Sequence, residues 1–129
     1  MPQSTIESYY QAFRLPDAAA ISSALSHLFT DEVTLDNPVI REKFGNRLTG
    51  MPAVLGYTVA AAPMLRDAWI KAIYAQIGDS SGFAAQIEVS TPLGTVTQTD
   101  HFVLDPHTKK IKSIESNYDP RKLLAPAST

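Results

Sequence analysis

The chain has 129 residues, no cysteine, and a net charge of −2 from 11 basic and 13 acidic residues. This length predicts one domain over residues 1–129, and the missing thiols exclude disulfides, thiolate metal sites and cysteine nucleophiles. The scattered basic residues argue against nucleic acid as a partner. The sequence shows neither a membrane-span pattern nor a signal-peptide pattern, so we expect a cytoplasmic protein with no membrane partner.

Helix signals dominate the first half of the chain. Ser4-Thr5-Ile6-Glu7 matches a capping box, which predicts a first helix starting at Ser4. The apolar face of this helix contains Ile6, Tyr9, Tyr10 and Phe13. Asp17 is typical of an N-cap and predicts a second helix from Ala18 to about Phe29. A third helix is expected from Met51-Pro52 to near Pro63, since proline is favoured at the first helical position.

Strand signals dominate the second half. A short strand over residues 32–37 precedes a predicted loop over residues 39–50. Four longer strands are predicted over residues 68–77, 83–91, 95–104 and 110–118. The tight turns between them favour an antiparallel meander, and residues 119–129 are expected to form a loose tail. Helices first and strands last predict an α+β fold, in which three N-terminal helices pack on a curved, mixed, mostly antiparallel sheet to form a cone.

An acidic residue lies on a predicted inward face of the third long strand. The period-2 pattern places Asp100 on one face with Val96, Gln98, Phe102 and Leu104. A buried aspartate must be hydrogen-bonded, paired or protonated, and a carboxyl kept neutral in an apolar pocket is a known catalytic group. The alternative is an edge-strand aspartate that faces water. The sequence does not fix its protonation state.

Three segments carry a resemblance to a known superfamily. They are Tyr9-Tyr10-Gln11-Ala12-Phe13-Arg14-Leu15-Pro16-Asp17, the stretch from Leu28 to Pro38, and Asp100-His101-Phe102. In this order they resemble the nuclear transport factor 2-like superfamily, and most of all its branch of ketosteroid isomerases and SnoaL-like polyketide cyclases. The resemblance implies a cone-shaped fold, no cofactor and a homodimer. Because this superfamily uses one fold for many purposes, function must be argued from the site.

The resemblance implies roles for individual residues. Tyr9 and Asp100 fall where the isomerases have an oxyanion hole, and Tyr10 competes with Tyr9 because a small change in helix phase exchanges them. Asn37 falls where the isomerases have a catalytic base, and an amide cannot act as a base. Its neighbour Asp36 points to the opposite face of a regular strand. Asn37 is interpreted either as a donor that orients a substrate carbonyl or as an Asx cap before Pro38.

The function expected from these residues is cofactor-independent acid-base chemistry on a small hydrophobic carbonyl compound. The SnoaL-like cyclases are thought to use a single aspartic acid, a pattern that Asp100 with Tyr9 and Asn37 resembles. The alternative is a non-catalytic module of the same fold, which binds a small ligand or dimerises. Whether the chain is an enzyme at all stays open.

Aromatic side chains supply the remaining candidate contacts. Those that could line a pocket for a ring-bearing substrate are Phe13, Tyr57, Trp69, Phe83, Phe102 and Tyr118, although aromatic side chains of this kind more often belong to the core or an interface. The three histidines are dispersed and no carboxylate cluster accompanies them, so no metal site is expected.

Overall fold

The computed structural model describes residues 2–75, 81–91 and 94–117. Within these ranges the chain forms four helices and six strands. In chain order they are α1 (Pro2–Ala12), α2 (Ala18–Leu28), β1 (Phe29–Asp36), α3 (Pro38–Phe44), β2 (Leu48–Thr49), α4 (Met51–Leu65), β3 (Trp69–Ala75), β4 (Gly82–Thr91), β5 (Gly94–Leu104) and β6 (Ile111–Asn117). The predicted α+β class is confirmed. Tyr118 and the predicted tail lie outside the described residues.

The strands form one open sheet in the order β2-β1-β6-β5-β4-β3. The pairs β3/β4, β4/β5 and β5/β6 are antiparallel, which confirms the predicted meander. β1 pairs with β6 in parallel and with β2 in antiparallel orientation. The sheet is therefore mixed and mostly antiparallel, as predicted, and its first and last strands in sequence, β1 and β6, pair directly with each other.

The helix boundaries confirm one cap and correct another. Asp17 accepts a hydrogen bond from the backbone N–H of Ala20 at 2.8 Å, so it is the predicted N-cap of α2. The prediction that Ser4 caps α1 is wrong, because the helix already begins at Pro2, where the fixed φ of proline suits a first turn. At the other end of the helical region, α4 runs through Pro63 to Leu65 instead of ending there.

The predicted loop over residues 39–50 is also wrong, because α3 and β2 lie within it. Asn37 caps α3, and Pro38 occupies its first turn. Ile40 is fully buried and anchors the helix to the core. Gly45 ends the helix in the left-handed conformation (φ 74°), which glycine adopts at little cost. The cap, the proline, the glycine stop and the burial of Ile40 together define this helix of seven residues.

Buried and exposed residues alternate regularly along β5, whereas they do not along β3. The predicted inward face of β5 is buried in full: Val96, Gln98, Asp100, Phe102 and Leu104. In β3, a bulge between Ile70 and Ala72 interrupts the pattern. Trp69 pairs with Glu88 before the bulge, whereas Ile73 pairs with buried Ala85 after it. The two residues therefore point to opposite faces, although the sequence placed them on one side.

The core lies between the helices and the inner face of the sheet. Its aromatic centre is Tyr9, with its ring edge-on to Tyr10, Phe13 and Phe102 at centroid separations of 5.0–5.5 Å. α4 packs against β1 and β4 and leaves a cavity between the helix and the sheet. None of the helices in the described ranges combines the length and apolarity needed to cross a membrane.

Candidate functional site

A cavity of about 70 Å³ lies between α4 and the inner face of the sheet. Its apolar walls are Leu35, Ala61, Met64, Leu65 and Val89. Its polar side chains are Tyr9, Asn37, Tyr57, Thr58, Gln98 and Ser116. The described residues that line it include no carboxylate, imidazole, ammonium or guanidinium group. The cavity is therefore suited to an uncharged ligand that is largely apolar.

Asn37 both caps α3 and reaches the cavity. Its Oδ1 accepts a hydrogen bond from the backbone N–H of Ile40 at 2.8 Å, which fixes the orientation of the amide. Its Nδ2 then points to the hydroxyl oxygen of Tyr57, 3.4 Å away. Because the Tyr57 oxygen accepts from Asn37, its own proton is directed elsewhere and can be donated to a ligand. The sequence left open whether Asn37 is a cap or a site residue, and the structure shows the cap and places Asn37 in the cavity lining.

Asp100 is buried, with 2 % of its surface exposed, and does not line the cavity. The Tyr10 hydroxyl donates to its Oδ2 at 2.5 Å, and Gln98 Nε2 donates to its Oδ1 at 2.7 Å. Ser116 makes a further side-chain hydrogen bond to the carboxyl. Burial raises the pKa of Asp100 above its ordinary value, while the bonds from Tyr10, Ser116 and Gln98 act in the opposite direction.

The adjacent tyrosines of α1 have different surroundings. Tyr9 lines the cavity, whereas Tyr10 hydrogen-bonds Asp100. Burial, and then the charge of Asp100, raises the pKa of both hydroxyls well above the usual value for tyrosine. Both therefore stay protonated at neutral pH and can donate hydrogen bonds. The sequence could not tell which tyrosine meets Asp100 and which faces the pocket. In the structure the two roles are divided, with Tyr10 at Asp100 and Tyr9 at the cavity.

Asp36 does not replace a base at position 37. Its carboxylate forms a bidentate ion pair with Arg41, with N–O distances of 2.6–3.0 Å. It pairs across the sheet with exposed Glu115, on the face opposite to the cavity. Because side chains at the end of β1 alternate between the two faces of the sheet, Asp36 lies on the outer face, as the sequence predicted.

The structure brings only part of the predicted aromatic set to the cavity. Tyr57 lines it. Phe13 and Phe102 are fully buried in the core around Tyr9, and Phe83 is half-buried against the same core. Trp69 is 48 % exposed on the outer face of the sheet, where the bulge in β3 places it. Tyr118 lies outside the described residues.

Sequence reasoning missed two polar residues that join the cavity to Asp100. Gln98 lines the cavity and bonds Asp100, and its position two residues earlier on the same strand face was a usable signal. Ser116 has the same two contacts from β6. It lies directly across from Asp100 in the β5/β6 register, which no local pattern could reveal. No cluster of metal-ligating side chains occurs within the described part of the chain.

The sequence matches no protein-family model and no curated protein sequence. Solved structures do share its fold. One is a SnoaL-like protein of unknown function from Burkholderia thailandensis, with 22% identity, a TM-score of 0.68, and coverage of 92% of this chain and 93% of that chain. A second is a protein with a ketosteroid isomerase-like fold from Catenulispora acidiphila, in complex with trimethylamine, with 15% identity, a TM-score of 0.67, and coverage of 93% and 88%.

A third structure is an NTF2-like protein of unknown function from Cytophaga hutchinsonii. It has 11% identity and a TM-score of 0.64, and the match covers 97% of this chain and 96% of that chain. These three structures match nearly the whole chain at low identity. The chain therefore has the cone-shaped NTF2-like fold expected from its three motif segments.

Proposed function

On this NTF2-like fold, we propose that the chain binds a small, uncharged, largely apolar molecule with a carbonyl or hydroxyl oxygen at one end. The observation that carries the proposal is the composition of the cavity wall. Neutral side-chain hydrogen-bond donors occur together with five apolar residues, and the described lining holds no charged group. A cavity of this kind gains from burying an apolar ligand and orients it through a few polar contacts.

Two hydroxyls are the main candidate donors to the ligand oxygen. Tyr57 is oriented by Asn37, so its proton is free to point into the cavity. Tyr9 is kept protonated by burial and by the nearby charge of Asp100. Gln98 uses one N–H of its Nε2 on Asp100, so its second N–H and its amide oxygen are the groups it can offer to a ligand. Asn37 thus acts mainly by positioning Tyr57.

A titration with phenol tests this binding function. Phenol combines an apolar ring with one oxygen, and its binding can be followed by ultraviolet absorbance. Replacing Tyr57 with Phe removes one hydrogen bond, so we expect about two- to tenfold weaker binding, since such a bond is worth about 0.5–1.5 kcal/mol. Tyr74→Phe is the matched control, because Tyr74 is exposed on the outer sheet face, away from the cavity.

Equal binding by the wild type and the Tyr57→Phe variant would show that this hydroxyl does not contact the ligand. Equal losses in the Tyr57 and Tyr74 variants would point to a general effect of removing a hydroxyl. An absence of phenol binding at millimolar concentration would count against the proposed ligand class.

A second candidate function is proton transfer on the bound carbonyl compound, in the manner of an isomerase or cyclase. The specific observation in its favour is that Gln98 and Ser116 each contact both Asp100 and the cavity. The Ser116 hydroxyl can pass a proton between a ligand and the Asp100 carboxyl. Tyr9 would then stabilise the developing enolate oxygen, and a donor of this kind is worth about 3 kcal/mol in a dry site.

Hydrogen exchange in a small ketone tests this second function. In D₂O, a base that removes a proton next to the carbonyl of cyclopentanone returns a deuteron from solvent, which mass spectrometry detects. If Asp100 is the proton acceptor, the wild type accelerates exchange and the folded Asp100→Asn variant does not. Exchange at the same rate in both proteins would remove Asp100 from the mechanism and leave the binding function alone.

A further inference from the structure

Met64 stands apart from the other residues of α4 that line the cavity. The stripe that faces the cavity contains Tyr57, Thr58, Ala61, Met64 and Leu65. Met64 is 52 % exposed, whereas the other four are buried or half-buried. A side chain that both lines a cavity and faces solvent lies at its mouth. Met64 is therefore the α4 side chain that an entering ligand meets first.

The backbone that carries Met64 is less restrained than the rest of α4. Pro63 has no N–H, so it cannot make the helical hydrogen bond to the carbonyl of Val59. One turn earlier, the hydroxyl of Thr58 donates to the carbonyls of Val54 at 2.8 Å and Leu55 at 3.2 Å, a contact that bends helices. The last turn of α4 can therefore shift at a lower cost than a fully bonded helix turn.

The cavity is small, so movement of the last turn of α4 affects which ligands can enter. At about 70 Å³, it is smaller than the roughly 150 Å³ that an engineered protein cavity offers to benzene. A ring-bearing ligand such as phenol therefore fits only when part of the cavity lining moves aside, and the last turn of α4 is the part that can shift. Methionine is unbranched and adapts its shape, and Met64 has solvent on one side to move into.

We propose that Met64 on the last turn of α4 closes the mouth of the cavity and sets the largest ligand it accepts. The inference rests on the proposed binding function and adds the residue that determines ligand size. Met64→Ala opens the mouth, and Met51→Ala is the matched control. Met51 lies at the other end of the same helix, is half-buried, and does not line the cavity.

Binding of phenol and its 4-methyl, 4-ethyl and 4-propyl derivatives tests the size limit. In Met64→Ala, affinity should rise by about fourfold for each added methylene group, the gain expected from burying it. In the wild type and in Met51→Ala, affinity should level off or fall as the alkyl group grows. The same size profile in all three proteins would overturn the role of Met64.

Xenon separates this proposal from the binding function, since it fills apolar cavities without any hydrogen bond. Xenon-induced shifts of the Leu35 and Val89 methyl resonances should reach half-saturation at lower pressure in Met64→Ala than in Met51→Ala. A xenon response that depends on Met64, without phenol binding in any variant, would reject the ligand class and keep Met64 at the mouth. A xenon response unaffected by Met64, together with phenol binding that depends on Tyr57, would reject the role of Met64 and keep the proposed ligand class.

Discussion

Two clusters of polar side chains lie next to each other in this molecule, one at the cavity and one buried behind the cavity lining. One is the cavity group of Asn37 and Tyr57, and the other is the buried group of Asp100 and Tyr10, with Gln98 and Ser116 between them. In the buried group, both carboxyl oxygens of Asp100 are already bonded, so it contributes mainly to stability. In the cavity group, the Tyr57 proton is left over, so it can serve a ligand. Burial alone does not distinguish a structural polar residue from a binding one, whereas counting the donors and acceptors already used does.

The largest expected effect on stability follows from removing the Asp100 carboxyl, the acceptor at the centre of the buried group. Asp100→Ala leaves the donors of Tyr10 and Gln98 without their acceptor, at about 1–3 kcal/mol each, so the free energy of unfolding should fall by about 3 kcal/mol or more. Asp100→Asn is the control, because the Tyr10 hydroxyl can turn to accept from the new amide. Urea denaturation measures both variants. Equal losses would mean that the cluster contributes little through its hydrogen bonds.

The adjacent tyrosines provide the next comparison. Tyr10→Phe removes a hydrogen bond to a carboxyl and should lower the free energy of unfolding by about 1.5–3 kcal/mol. Tyr9→Phe, one residue earlier on the same helix, should lower it less and should weaken phenol binding instead. Measuring stability and affinity for both variants checks this division. If Tyr9→Phe destabilised more, and Tyr10→Phe affected binding more, the assignment of the two rings would be reversed.

A smaller effect is expected at Asn37, where two roles can be separated. Asn37→Ala removes the N-cap of α3 and should lower the free energy of unfolding by about 1 kcal/mol. Asn37→Asp keeps a good cap but no longer donates to Tyr57, so it should restore stability without restoring phenol affinity. Recovery of both properties in Asn37→Asp would show that the amide does not position Tyr57.

The finest distinction is a pH dependence. Burial raises the pKa of Asp100 in the folded state above its unfolded value of about 4, so the folded protein holds this proton more tightly. The stability gained in this way is complete below the unfolded pKa and is lost as pH rises through the folded pKa. Relative to Asp100→Asn, the wild type should therefore lose stability as pH rises from acid towards neutral. Parallel pH profiles of unfolding would show that the folded pKa is not raised.

The homodimer implied by the superfamily resemblance remains a prediction. The outer face of the sheet is the surface expected to form it, and Trp69 and Tyr74 are both exposed on that face.

Several features were accessible from local sequence alone. Alternation along β5 placed Asp100 and Gln98 on the buried face, since successive strand residues must point to opposite sides. The Asp17 cap and the antiparallel meander also followed from short-range rules. These features depend on backbone geometry over a few residues, which the sequence encodes directly.

Other features were decided only by tertiary packing. Tyr9 and Tyr10 both face the core, so helix periodicity could not tell which hydroxyl meets Asp100, 90 residues away in sequence. The bulge in β3 turned Trp69 outward, and the β5/β6 register brought Ser116 to Asp100. Each of these outcomes depends on contacts between distant segments. The sequence by itself thus determined the α+β class, the antiparallel meander and the strand face that Asp100 shares with Gln98, and the assembled sheet and helices decided that this face is buried and which side chains reach the cavity.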